Sequence, residues 1–157
     1  PLSPHYYCKK CHYSDFDSEE VKKFAGQFIR RKIGLRYEPL GCEVLTDEKW
    51  LAFVVEQVIS NALKYTEEGE IAITLEEPRT LCIRDTGIGI APEDLPRIFE
   101  KGYTRYNGRA DKKASGIGLY LCRRICTQLG HRIWAESAPG VGTVIKVDLE
   151  REELQVE

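Results

Sequence analysis

Residues 83 to 94 read IRDTGIGIAPED. Asp85 stands alone at the end of an apolar, strand-like run, and Gly87 and Gly89 break the chain directly after it. Glycines make surface turns in any protein. They also let a backbone pass close to a ligand, because no side chain stands in the way. A carboxylate at a strand end accepts a hydrogen bond from an exocyclic amine such as adenine's. Taken alone, the stretch leaves both readings open, and its neighbours must decide.

Upstream, GEIAITLE (69–76) and RTLCIRD (79–85) alternate or run apolar and flank a Glu-Pro step, which predicts an antiparallel hairpin ending at Asp85. Before it, Asp47 caps EKWLAFVVEQVISNALKYT, whose Trp50, Leu51, Val54, Val58 and Ile59 keep helical spacing up to Tyr65. An earlier helix is expected from Asp17 with Glu20 as a capping box, an apolar stripe of Val21, Phe24, Ala25, Phe28 and Ile29, and Gly34 as its end. Short strands follow around residues 35–37 and 43–45. Downstream, Pro92 opens a short helix through Phe99, and residues 101–115 carry charge and two glycines without apolar period, the pattern of a mobile lid. A helix from Leu119 to Gly130 and a final hairpin, HRIWAES and TVIKVDL around PGVG, complete the pattern. The elements do not alternate strand and helix as a doubly wound fold would. The expected architecture is a two-layer α/β sandwich, a mixed sheet of about five strands packed on three helices.

The 157 residues suit one domain with a core of its own. A formal net charge of −2 argues against a nucleic-acid glove or an acidic tail. No run reaches the roughly 20 apolar residues of a membrane span, and no leader pattern opens the sequence, so the chain reads as a soluble piece. Cysteines 42, 82, 122 and 126 lie singly in apolar surroundings and read as reduced, which suits the cytoplasm. Cys8, Cys11 and His12 have the haem-attachment spacing, and His5 would complete four zinc ligands. Coincidence at a chain end is preferred over either.

On the second helix Gln57, Asn61 and Lys64 fall on one side. Amide oxygens and an ammonium there suit Mg²⁺ and phosphate, although a solvated polar stripe looks the same. SGIGLY (115–120) joins the lid to a helix start, where free backbone N–H groups converge. It lacks the third glycine of a dinucleotide fingerprint and does not follow a strand.

Together EQVISNALKYT, IRDTGIGIAPEDLPRIFEKGYT, SGIGLYLCRRI and IWAESAPGVGTVIKVDL, in this order, closely resemble the ATP-binding catalytic domain of sensor histidine kinases. That domain belongs to the GHKL group, also called HATPase_c, with its Bergerat fold, alongside DNA gyrase, the mismatch-repair ATPases and heat-shock chaperone ATPases. The resemblance covers residues 47 to 149. DEKWLAFVVEQ and GYTRYNGR are further similar to the kinases that work beside antimicrobial-peptide transporters, the bacitracin-sensing type. By position the resemblance implies ATP and Mg²⁺ as cofactors, Asn61 as metal ligand with Gln57 beside it, and Lys64 at the phosphates. It implies Tyr65 along the adenine, Asp85 on its amine, and Gly87 and Gly89 lining the base pocket. Phe99 would anchor the start of the lid, and Lys101 and Arg105 would reach the outer phosphates. Gly116, Gly118 and Leu119 would hold the phosphate chain through main-chain N–H groups, and Thr143 would join the network around Asp85.

The group's hydrolases usually hold a Glu four residues before the metal Asn; here that position is Gln57. An amide cannot act as general base, which disfavours water as acceptor and favours transfer to another nucleophile. The implied function is a protein-histidine kinase, donating the γ-phosphate to a His on a dimerisation domain of the same protein, with a response regulator further along. An ATP hydrolase and a nucleotide-free interaction module are the alternatives. His5, His12 and His131 lack the setting of an acceptor. Residues 1–15 are expected to be a linker remnant following an absent acceptor hairpin, 16–150 the catalytic domain and 151–157 a tail. The fragment is expected to be monomeric, and the full-length protein a membrane-bound homodimer.

Overall fold

The computed structural model describes residues 9–12, 21–38, 43–76, 78–104 and 116–150. Five strands form the main sheet: β2 (Gly34–Tyr37), β4 (Glu70–Glu76), β5 (Thr80–Asp85), β6 (Arg132–Ala138) and β7 (Gly142–Asp148). Their spatial order is β2-β4-β5-β7-β6, with β2 parallel to β4 and the remaining pairs antiparallel. The sheet is therefore mixed, as the order of elements predicts. The expected strand at 43–45 forms but belongs elsewhere: β3 (Glu43–Thr46) pairs with β1 (Lys9–His12) in a separate two-stranded sheet. The sequence reading held no strand at residues 9–12. Of the CxxCH segment considered there for metal, Cys8 and His5 lie outside the described residues.

Among the described residues three helices with given bounds accompany the sheet: α1 (Ala25–Arg31), α2 (Glu48–Lys64) and α3 (Gly118–Leu129). Asp47 caps α2 as its position predicts, its Oδ1 accepting from the Trp50 N–H at 3.1 Å. The apolar period of α2 buries Leu51, Val54, Val58, Ile59 and Leu63, and α3 presents Cys122, Ile125, Cys126 and Leu129 to the same core. Against them stand Ile71, Ile73, Leu81, Ile83, Ile145 and Val147 of the sheet. Each such side chain contributes about 1.5–3 kcal/mol on burial, so this one cluster is the main source of stability.

Three local expectations fail in whole or in part. The apolar stripe around α1 holds only in part: Val21, Phe24 and Phe28 are buried in the core, whereas Ala25 is exposed and Ile29 is 77% exposed. That helix ends at Lys32, which takes the left-handed conformation (φ 54°), and Gly34 instead opens β2. The segment from Pro92 to Phe99 makes only a 3₁₀ turn at Leu95–Arg97. Pro96 has no N–H to give a fourth-residue bond, so one bond spans four residues, Leu95 N–H to Ala91 at 3.0 Å, and the next spans three, Arg97 N–H to Asp94 at 2.8 Å. The capping box at Asp17 and Glu20 falls outside the described residues.

On the sheet face opposite α2 and α3, the alternation of side chains places Ala72, Cys82 and Val144, each 3–4% exposed. Lys146 lies across that face, its Nζ 3.1 Å from Glu76 on β4 and 3.0 Å from Glu136 on β6. The hydrogen bonds that this ammonium donates to Glu136 and Glu76 raise its pKa above the ordinary 10.5. Burial, then the charge of Glu76, raises the Cys82 thiol. Among the described residues no helix is long and apolar enough to cross a membrane.

Candidate functional site

The site assembles where α2 ends, because the chain beyond Tyr65 is held against the turn after β5. Ile88 N–H donates to the Tyr65 carbonyl at 3.1 Å, and a Cβ on Gly87 would stand 2.1 Å from that oxygen. Asn61 and Lys64 thus sit within one turn of the segment that follows Asp85. Asp85 is 4% exposed, and its Oδ1 accepts from the backbone N–H of Gly87 (2.9 Å) and of Thr143 (3.2 Å). Two N–H donors on one carboxylate oxygen stabilise the ionised form in a buried place. Asp85 and Thr143 are register partners on β5 and β7, and Ser137 of β6 is the next in the row.

Ser137 ties this row together. Its Oγ accepts from Ile90 N–H at 2.8 Å, donates to the Gly142 carbonyl at 2.9 Å and lies 2.7 Å from Thr143 Oγ1. A concavity here is lined by Asp85, Ser137 and Thr143 and reaches round to Arg84 and Glu136. Thr86 locks the turn to β4, its Oγ1 accepting from Glu70 N–H at 3.0 Å. Arg31 reaches from α1 to the end of α2, its guanidinium donating to Leu63 O at 2.5 Å and Thr66 O at 2.7 Å.

At Gly87 the missing side chain makes room for the Tyr65 carbonyl, and at Gly89 for the Ala138 carbonyl, where a Cβ would come within 2.1 Å. Both admit protein backbone. Gly118, the first residue of α3, would meet Gln57 Oε1 at 2.7 Å, so that amide faces the helix start. Leu119 follows in the same turn, partly buried. Gly116 packs on Gly102, whose N–H donates to the Gly116 carbonyl at 3.0 Å, joining the described segments on either side of residues 105–115.

Tyr65 is 5% exposed, with Lys64 Nζ 5.3 Å from its ring centroid. Phe99 is buried at the start of the lid under the Arg123 guanidinium, 5.6 Å from the ring centroid. Lys101 is exposed, its Nζ 5.9 Å from the Tyr120 ring. Arg105 and most of the lid lie outside the described residues. His131 is 3% exposed, with Nε2 2.9 Å from Thr46 Oγ1, which removes it from the surface. The sequence reading missed Ser137, Thr86 and Arg31. For Ser137 a signal existed: a tight turn at Pro139–Gly140 pairs it with Thr143.

Residues 46–153 match the family model described as histidine kinase-, DNA gyrase B-, and HSP90-like ATPase. The chain belongs to that ATPase family. Within it, the sensor protein BceS of Bacillus subtilis is 40% identical over 129 residues, 80% of this chain and 39% of that protein. The sensor protein kinase GraS of Staphylococcus aureus is 41% identical over 107 residues, covering 66% of this chain and 31% of GraS. The chain thus spans well under half the length of these sensor kinases. The nucleotide-free catalytic domain of the histidine kinase ThkA superposes with a TM-score of 0.78 at 22% identity, covering 92% of this chain and 95% of that one. Full-length ShkA in complex with AMPPNP gives 0.77 at 20% identity, covering 94% of this chain and 33% of ShkA. These two likenesses show the fold. Family and fold together make the chain an ATP-binding catalytic domain of the sensor-kinase type.

Proposed function

We propose that this domain binds Mg-ATP and transfers the γ-phosphate to a histidine on a dimerisation domain of the same protein, from which a response regulator receives it. Gln57 carries the reading. It stands beside Gly118, at the start of the helix behind the lid, where its carboxamide has no basicity to take a proton from water. Asn61 with Gln57 would hold Mg²⁺; their amide oxygens suit a hard cation that keeps several waters. When bound, the ion neutralises charge on the phosphate oxygens. Asp85, an acceptor with two backbone donors behind it, takes the exocyclic amine of adenine, with Tyr65 along the base and Thr143 beside the carboxylate. Gly87 and Gly89 set the turn that shapes the base pocket. Lys64, Lys101 and Arg105 meet the phosphates, and the N–H groups of Gly116, Gly118 and Leu119 hold the phosphate chain. Phe99 anchors the lid's first residues. Catalysis then consists of positioning and charge neutralisation.

The full-length protein is proposed to be a membrane-anchored homodimer with this domain in the cytoplasm, following its sensor-kinase relatives of the peptide-sensing type. The test mixes the domain, Mg-ATP and a matching His-bearing hairpin. Acid-labile phosphate on the hairpin is expected, and Asn61→Ala should abolish it while ADP still binds. Steady ATP hydrolysis by the domain alone, without transfer, would establish the hydrolase alternative. An unchanged melting temperature in millimolar ADP would establish an interaction module instead.

A further inference from the structure

Hydrogen-bond valence fixes the protons in the row Asp85–Thr143–Ser137. A serine hydroxyl has one proton and two lone pairs. Ser137 donates its proton to the Gly142 carbonyl, which can only accept, and one lone pair receives Ile90 N–H. The 2.7 Å contact with Thr143 Oγ1 must therefore use the second lone pair, with Thr143 as donor. The Thr143 proton is thereby committed to Ser137 and does not point at Asp85 or at a group seated beside it. What Thr143 Oγ1 has left to offer is acceptance, next to a carboxylate that also only accepts. Thr143 is 3% exposed, so bulk water does not set its proton.

We propose that Ser137 is a positioning residue for base specificity: by taking the Thr143 proton it makes that hydroxyl an acceptor beside Asp85, and the pocket selects a base edge that donates. Adenine presents an amine there, whereas hypoxanthine presents a carbonyl. The inference rests on the nucleotide-binding reading above and adds a residue that acts through Thr143.

The experiment measures ADP and IDP affinities by calorimetry for the wild type, Ser137→Ala and Ser137→Thr, with melting temperatures recorded beside them. Alanine frees the Thr143 proton, which can then turn toward a carbonyl. ADP should weaken about fivefold, the value of one ordinary hydrogen bond, while IDP holds or tightens, so the ADP preference falls. Threonine keeps the hydroxyl and should restore the wild-type ratio. Equal weakening of both nucleotides by alanine, the sign of a purely structural role, would overturn the proposal, as would an unchanged ratio or a threonine variant that behaves like alanine. If the wild type binds neither nucleotide, the nucleotide reading itself fails; if it binds ADP and the ratio does not respond, only the role of Ser137 fails.

Discussion

Gly87→Ala isolates a steric constraint from a conformational one, because Gly87 does not have a positive φ. Its Cβ would stand 2.1 Å from the Tyr65 carbonyl oxygen, 2.8 Å from the Tyr65 carbonyl carbon and 2.9 Å from Thr66 Oγ1, where ordinary contact begins near 3.4 Å. The end of α2 and the turn after β5 must therefore separate by more than 1 Å. The 3.1 Å bond from Ile88 to Tyr65 does not survive that displacement. Losing it costs about 1 kcal/mol, and overpacking a tight contact about 1–3 kcal/mol more. The expected loss is about 2–4 kcal/mol, or roughly 5–15 °C in melting temperature for a domain of this size. A domain with about 8 kcal/mol or more in hand still folds. Because Gly87 N–H also holds Asp85 Oδ1, ADP should weaken by about tenfold or more, close to 1.4 kcal/mol. Gly26→Ala is the control: on exposed α1 it meets only the flexible end of Arg30 and should stabilise by about 0.5–1 kcal/mol. Calorimetric melting and ADP titration read both. A Gly87→Ala protein within about 0.5 kcal/mol of wild type and with unchanged ADP affinity would refute the reasoning.

Removing the guanidinium by Arg31→Ala leaves two carbonyls at the end of α2 without their charged donor and should cost about 2 kcal/mol in urea unfolding. Arg31→Lys should recover less than half, since an ammonium cannot reproduce the fork; full recovery by lysine would disprove the bidentate cap. Stability should also fall as pH rises above about 9. Burial lifts the Cys126 thiol from 9.0 to about 12, so above pH 9 the folded state keeps a proton that the unfolded chain releases, at about 1.4 kcal/mol per pH unit. Burial raises Cys122 in the same sense. Lys146 acts in the same direction, its contribution complete below 10.5 and fading above it. Urea midpoints that stay flat or climb from pH about 8.5 to about 10.5 would contradict this, and a Cys122→Ala/Cys126→Ala protein should show a shallower slope.

What the sequence made legible follows from physics with a short range. The α2 period, the Asp47 cap and the β4–β5 hairpin depend on neighbours a few residues apart, and they stand as read. β1 pairs with β3 more than thirty positions away, which periodicity does not encode. Pro96 should have warned against a helix at 92–99, since its missing N–H falls in the interior of that segment. In the candidate site, Asp85, Thr143, Gln57 and Asn61 could be singled out because their chemistry is visible in a motif. The glycines carry a further constraint that their motif does not display: a side chain at Gly87 or Gly89 would run into carbonyls of the protein itself. Arg31 left no mark in IRRK, because its role depends on where α1 docks and not on its spacing.

The Lys146 side chain, laid between Glu76 and Glu136, has a consequence for how such strands are interpreted. Buried residues on both sides of β5 and β7 suggest a third layer, yet here the roof is a hydrocarbon stem ending in a charge held by two carboxylates. Among the described residues, that stem and its two carboxylates help to screen Cys82 from water. They also turn toward their surroundings a lattice of ions rather than oil, so whatever lies alongside can slip across that side without sticking to it.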